Sequence, residues 1–205
     1  MSVFTLGLDL DGVTADYVQE FRLRVARYTS CDPADLPAPT TWSFVEAWGP
    51  IRDNDHYLEL HRDAVRDGLF RSMAPMPGVS RALWDLSDAD VHIRVVTHRL
   101  IGNNLHKEAA ADTLAWLDRH EIPFRDILFL GVKSDLEASV FIDDAPHNVV
   151  ALTLAGRDVI VFDAPYNRTS TDPQTHEILA ATTRVHNWDE AREAVLERKR
   201  AFDAN

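Results

Sequence analysis

Asp9-Leu10-Asp11-Gly12 places two carboxylates one residue apart, directly after the apolar run Val3-Phe4-Thr5-Leu6-Gly7-Leu8. Such a pair suits a division of labour. Asp9 can attack phosphorus in line, while Asp11 protonates the leaving oxygen and later deprotonates water. Gly12 permits the tight turn that brings backbone close to a ligand. A calcium loop is excluded, because an EF-hand read through Gly12 would put Gly7 at its first ligand position and Val18 at its twelfth. A polar turn with solvated carboxylates is the ordinary alternative.

Asp143-Asp144 follows a second apolar run, Val140-Phe141-Ile142. Alone it reads equally as a strand terminus and helix cap. Together with Asp9 and Asp11 it makes a magnesium site, since magnesium takes a few carboxylates, a carbonyl and waters, and offsets repulsion between an anionic nucleophile and an anionic phosphate. Thr97 ends the run Val91-His92-Ile93-Arg94-Val95-Val96-Thr97. Its hydroxyl is either a strand-favouring group or a donor to a phosphoryl oxygen. Lys133 is either a surface cation or the charge that neutralises phosphate.

These groups work together only if the fold brings them to one edge. Strand, acidic turn and a helix beginning near Ala15 open the chain. Val91–Thr97, Ile127–Leu130, Ser139–Ile142 and Asp158–Phe162 read as four further strands, with helices over Asn104–His120 and Val149–Ala155 between them and a last amphipathic helix over Trp188–Phe202. The alternation predicts an α/β fold, a parallel sheet with helices on both faces, whose strand ends gather the binding groups.

Thr97 lies 86 positions after Asp11, whereas a single crossover needs roughly 30 residues. The excess predicts a small, mainly helical cap inserted after the first strand at residues 15–74, leaving 1–14 and 75–205 as the core. This stretch holds the Pro-rich loop Asp32–Pro39 and a helix over Asp55–Leu69. From Thr97 to Lys133 there are only 36 positions, too few for a second cap.

At 205 residues and 45% hydrophobic composition, the chain supports one substantial core with an appended module. Its net charge of -12 argues against holding a nucleic-acid polymer, but leaves small phosphorylated ligands open. No apolar stretch approaches the ~20 residues of a membrane span, and no basic leader precedes the first strand, so a cytoplasmic protein without a membrane partner is expected. Cys31 is the single cysteine, which excludes internal disulfides and zinc sites built on cysteine pairs. Asn167-Arg168-Thr169 matches a glycosylation sequon and is treated as chance.

The set Asp9-Leu10-Asp11-Gly12-Val13, Val95-Val96-Thr97, Lys133 and Ile142-Asp143-Asp144 resembles the four ordered motifs of the haloacid dehalogenase superfamily. Asp11-Gly12-Val13-Thr14-Ala15-Asp16-Tyr17 and the approach from Phe70 to Pro75-Met76-Pro77-Gly78 are similar to those of its 5'(3')-deoxyribonucleotidases. The resemblance covers roughly residues 3 to 155. It implies a Rossmann-like core and a phosphatase acting on nucleoside monophosphates. Asp9 would be the nucleophile, Asp11 the acid/base, and Thr97 and Lys133 the phosphate binders. The Mg2+ shell would comprise Asp9, the Asp11 carbonyl and the Asp143-Asp144 pair, with the direct ligand of that pair left open. Family members are often dimers, so a homodimer is a possible state.

One departure is His98-Arg99, where better-known nucleotidases of this kind continue with Ser-Pro after the threonine. His98 joins the phosphate-binding candidates. Arg99 suits either a second anionic group of the substrate or an ordinary salt bridge. For the nucleobase, Tyr17 is the leading stacking platform, ahead of Trp42 and Phe44, with Phe21 and Trp48 as further aromatics of the inserted stretch. Two rival readings remain open: a phosphatase for another metabolite such as a sugar phosphate, and a phosphate-ligand binding module without turnover.

Overall fold

The computed structural model describes residues 3–100 and 104–204; residues 1–2, 101–103 and 205, which the expected core division includes, lie outside them. The chain order is β1 (Thr5–Leu8), α1 (Tyr17–Thr29), α2 (Phe44–Ala47), α3 (Asn54–Arg66), α4 (Leu69–Ser72), α5 (Val79–Asp88), β2 (His92–Thr97), α6 (His106–Arg119), β3 (Asp126–Phe129), β4 (Val140–Asp143), α7 (Pro146–Leu154), β5 (Val159–Phe162), α8 (Pro173–Ala181), β6 (Thr183–Val185) and α9 (Trp188–Asp203). All pairings are parallel, in the order β3-β2-β1-β4-β5-β6. The expected α/β architecture is therefore present. A sixth strand, β6, extends it beyond the five read from the sequence.

β4 and β5 show why a continuous apolar run folds here as a strand. Every residue of both is buried. Phe141, Val159 and Val161 face a cluster with Val149 and Leu152 of α7 and Leu179 of α8. Their neighbours Val140, Ile142, Ile160 and Phe162 face the main core, which includes Trp188, Ala191 and Val195 of α9. Both sheet faces are thus covered, as a parallel sheet requires.

Helix ends follow local chemistry. The Asp16 side chain accepts from the Gln19 N–H at 3.1 Å and opens α1; Ser30, at φ 56°, closes it. Asp53 accepts from the His56 N–H at 2.8 Å and opens α3. The single helix expected over Asp55–Leu69 is two, because the chain turns at Gly68 (φ 81°) between α3 and α4. α1 packs on α3 and α4, and α4 in turn on α6.

Before α1 and after α4 the chain pairs with itself. Asp16 N donates to Ala74 O at 2.9 Å, Met76 N donates to Thr14 O at 2.8 Å, and Ala15 bridges Pro75 in antiparallel sense. Among the described residues, no helix is long and apolar enough to cross a membrane.

Candidate active site

Register sets the site. Leu8 lies opposite Val95 on one side and Ile142 on the other, so Asp9, Thr97 and Asp143 emerge from one edge of the sheet. The strand order reverses at β1, and the crevice beyond such a point is where open parallel sheets bind ligands. A turn fixes the acidic loop: Thr14 Oγ1 donates to Asp9 O at 2.6 Å, the N–H groups of Thr14 and Ala15 reach Leu10 O at 2.8 Å, and Trp188 of α9 donates to Val13 O at 3.0 Å. Gly12 has φ 88°, and a Cβ there would collide with the Asp144 carboxylate and the Tyr166 hydroxyl. Only glycine lets the loop lie this close.

Lys133, in the short turn after β3, is buried, with its ammonium 2.8 Å from Asp9 Oδ1 and 2.7 Å from Asp143 Oδ2. Asp143 also accepts from the Ala145 N–H at 3.0 Å and from Asn148 Nδ2 at 3.2 Å on each oxygen. Asp144 is bonded differently: Oδ2 accepts from the Tyr166 hydroxyl, while Oδ1 is buried without a hydrogen-bond partner. Oxygens of Asp9, Asp143 and Asp144 all lie within 4.8 Å of one another.

Burial pushes the Asp9 carboxyl up to about 7, with Lys133 opposing and Asp143 and Asp11 adding to the rise. It raises Asp144 well above the usual carboxylate range, helped by the charges of Asp9 and Asp143. One ammonium among three buried carboxylates leaves a deficit of positive charge. The all-oxygen donor set and the orphaned Asp144 oxygen fit a divalent cation.

Asp11 turns to a different cation. Arg99 Nη2 lies 2.7 Å from Asp11 Oδ1, and Arg99 Nε lies 3.1 Å from Oδ2 and 3.2 Å from Oδ1. The salt bridge expected for Arg99 is present, and the residue also lines the cavity. Its side chain is 0% exposed, with Nη1 3.1 Å from Thr113 Oγ1 and the guanidinium 4.6 Å from the Phe70 ring centre.

A cavity of about 390 Å³ opens over these groups, within the usual size for small-molecule sites. Asp9, Asp11, Thr97, His98, Arg99, Lys133 and Asp144 line it, and so do Tyr17, Trp42 and Phe44. Burial and then the Lys133 charge lower the His98 pKa, so its ring is neutral near pH 7, and its buried Nε2 is without a hydrogen-bond partner. Phe21 and Trp48 are fully buried and pack in the core instead, so the structure corrects their place as platforms. Their rings fill the space behind Phe44, with centroids 5.4 Å and 4.6 Å from it.

Sequence reasoning passed over several lining residues, among them Asn54, Tyr57, His61 and Tyr166. Tyr57 and His61 stand four apart on α3, a helical spacing that would have paired them. Tyr166 follows β5 and had no motif to mark it. Its neighbour Asn167 is fully buried; Nδ2 donates to Asp144 O at 2.8 Å and Phe162 O at 2.9 Å. The sequon amide is therefore a brace behind Asp144, inaccessible to glycosylation.

His61 Nδ1 lies 3.0 Å from the Tyr17 hydroxyl, and burial lowers its pKa to about 4. The unfolded chain takes up this proton near pH 6.5, so the contribution to stability is full above pH 6.5 and is lost as pH falls toward 4. His61→Gln should therefore flatten the acid limb of a melting-temperature profile, by on the order of 2 kcal/mol between pH 7 and 4. Parallel profiles for the two proteins would contradict this.

The sheet order, the acidic loop at the switch point and the cavity above it make one candidate active site of an α/β protein. A family model described as "5' nucleotidase, deoxy (Pyrimidine), cytosolic type C protein" matches residues 2–202, and the chain belongs to that family. It is 38% identical over 164 residues to a Chlorobaculum tepidum protein named "Putative 5'(3')-deoxyribonucleotidase", covering 80% of each chain. A Bordetella parapertussis protein of the same name is 31% identical over 171 residues, 80% of this chain and 86% of that one. Among solved structures, a "predicted phosphatase" from Clostridium acetobutylicum superposes with a TM-score of 0.64 at 16% identity, covering 96% of this chain and all of that one. A haloacid dehalogenase-like hydrolase from Streptococcus pneumoniae does so at 0.61 and 12%, covering 94% and 98%. These two share the fold.

Proposed function

We propose that the protein is a magnesium-dependent 5'(3')-deoxyribonucleotidase that passes the phosphoryl group through Asp9. The observation that carries this reading is the separation of the two carboxylates: Asp9 is held by Lys133 within the acidic cluster, and Asp11 by Arg99 at its edge. Each is free to take one role.

In the first half-reaction an Asp9 oxygen attacks phosphorus opposite the ester oxygen. The ester P–O bond breaks, its electron pair stays on the leaving oxygen, and that oxygen takes a proton from the Asp11 carboxyl group. In the second, water attacks the aspartyl-phosphate, its proton passes to Asp11, and the bond to Asp9 breaks to release phosphate. Thr97 and Lys133 donate to the phosphoryl oxygens, and His98 lies beside them as a further contact. Asp9, Asp144 and the Asp11 carbonyl would hold magnesium, which supplies the charge that lets an anionic carboxylate meet an anionic phosphate. Asp144 is assigned the direct contact because its Oδ1 lacks a partner, while Asp143 already serves Lys133, Asn148 and Ala145.

Residues 15–74 are assigned the cap, and Tyr17, Phe44 and Trp42 the nucleobase wall. The relatives' name and this aromatic wall support a nucleotide over a sugar phosphate. Phosphate release should be measured with magnesium across deoxy- and ribonucleoside monophosphates and sugar phosphates. Preference for a deoxynucleotide is the expected result. Preference for another ester would keep the chemistry and replace the substrate, whereas binding without turnover by the parent protein would overturn the enzyme reading.

A further inference from the structure

We propose that Arg99 is a positioning residue for Asp11, holding its carboxylate at the cavity edge in the orientation that proton transfer to the leaving oxygen requires. The assignment rests on the phosphatase reading above and concerns a part of the site that the magnesium and phosphate contacts leave unexplained.

The Asp11 side chain is only partly enclosed by the loop that carries it. It is 28% exposed, Asp11 precedes a glycine at positive φ, and it stands next to a buried cluster of like charge. Arg99 holds it with contacts to both carboxylate oxygens, a geometry that a planar guanidinium meets and a lysine ammonium does not. The guanidinium is itself fixed from behind. Thr113 of α6 commits its O–H to Ala109 O at 2.7 Å, which leaves its oxygen to accept Arg99 Nη1 at 3.1 Å. Phe70 of α4 covers the guanidinium face. Arg99, two residues past β2, thus ties the orientation of Asp11 to α6 and α4, two helices outside the acidic loop.

A residue that positions a proton donor acts on the step that uses the proton. Breaking an alkyl ester leaves charge on an oxygen that needs protonation, whereas a 4-nitrophenyl ester leaves a stable phenolate that does not. Arg99→Lys keeps the charge and loses the fork. In a single turnover it should slow release of the nucleoside from the preferred nucleotide by about 10- to 100-fold, with KM within about threefold, and change release of 4-nitrophenolate from 4-nitrophenyl phosphate by no more than about threefold, because that measurement reads the first half-reaction alone. Thr113→Val removes only the rear support and should reproduce the selective loss at roughly 3- to 10-fold. In an Asp11→Asn background, Arg99→Lys should add less than about twofold on the nucleotide.

Equal single-turnover losses on both esters in Arg99→Lys and Thr113→Val would overturn the assignment and leave Arg99 a structural ion pair. Additive losses with Asp11→Asn would do the same. A parent enzyme inactive on both esters would overturn the phosphatase reading, and the assignment with it.

Discussion

Asp9→Asn is expected to abolish turnover, by about 10⁴-fold or more, without weakening the fold. Asparagine keeps the shape of the side chain and an oxygen that accepts from Lys133, but its amide does not form the acyl phosphate. The fold should tolerate the change because Asp9 is a charge that its surroundings resist: burial pushes its pKa up to about 7. An acid whose pKa is raised on folding contributes its stability below the unfolded value near 4 and loses it as pH rises through 7. At pH 8 the variant should therefore melt at or above the parent temperature. Acid-stable labelling of the protein by a radioactive phosphate ester, present in the parent and absent in the variant, reads the same step directly. Turnover above about 1% of the parent rate would remove Asp9 from the nucleophilic role.

Lys133→Met should be damaging in both respects. Lys133 is the one cation shown between Asp9 and Asp143, and its replacement leaves three carboxylates within 4.8 Å with nothing positive among them. Removing one partner of such a buried pair typically costs about 3–5 kcal/mol, and losing a charged contact to the phosphoryl group costs roughly 10²- to 10³-fold in kcat. The sign of the remedy is specific. In the variant the carboxylates are raised further on folding, so the lost stability should return as pH falls and they take up protons. It should also return in part with added magnesium, which binds the folded cluster. A deficit of equal size at pH 5 and pH 8, indifferent to magnesium, would mean that Lys133 is a packing residue.

Strand ends were the most legible part of this chain, because a parallel strand buried on both faces is written as an unbroken apolar run and the acids that stop it stand out. β6 was hidden for the opposite reason. It is a three-residue edge strand, Thr183-Arg184-Val185, with one side chain buried. Asp143 and Asp144 could not be told apart in the sequence. They sit at the end of one strand, and only the fold shows that the first meets Lys133 while the second meets Tyr166 and keeps one buried oxygen without a hydrogen-bond partner. The Asp11–Arg99 pair joins residues 88 positions apart, a distance over which neither periodicity nor spacing carries information. The aromatics of residues 15–74 divide by depth: Phe21, on the helix that presents Tyr17 to the cavity, and Trp48, just past the one that presents Phe44, face inward. Composition could name the platforms but not choose among them.

The short self-pairing of residues 14–16 with 74–76 also has a meaning for how such a chain can change. Departure and return occupy one spot on the core, locked by two backbone hydrogen bonds. Whatever is spliced between them starts with its ends already joined, and doubling the length of a joined loop costs only about 0.6 kcal/mol. A change in the length of the intervening sequence should therefore cost little, because its two ends stay fastened beside the acidic loop.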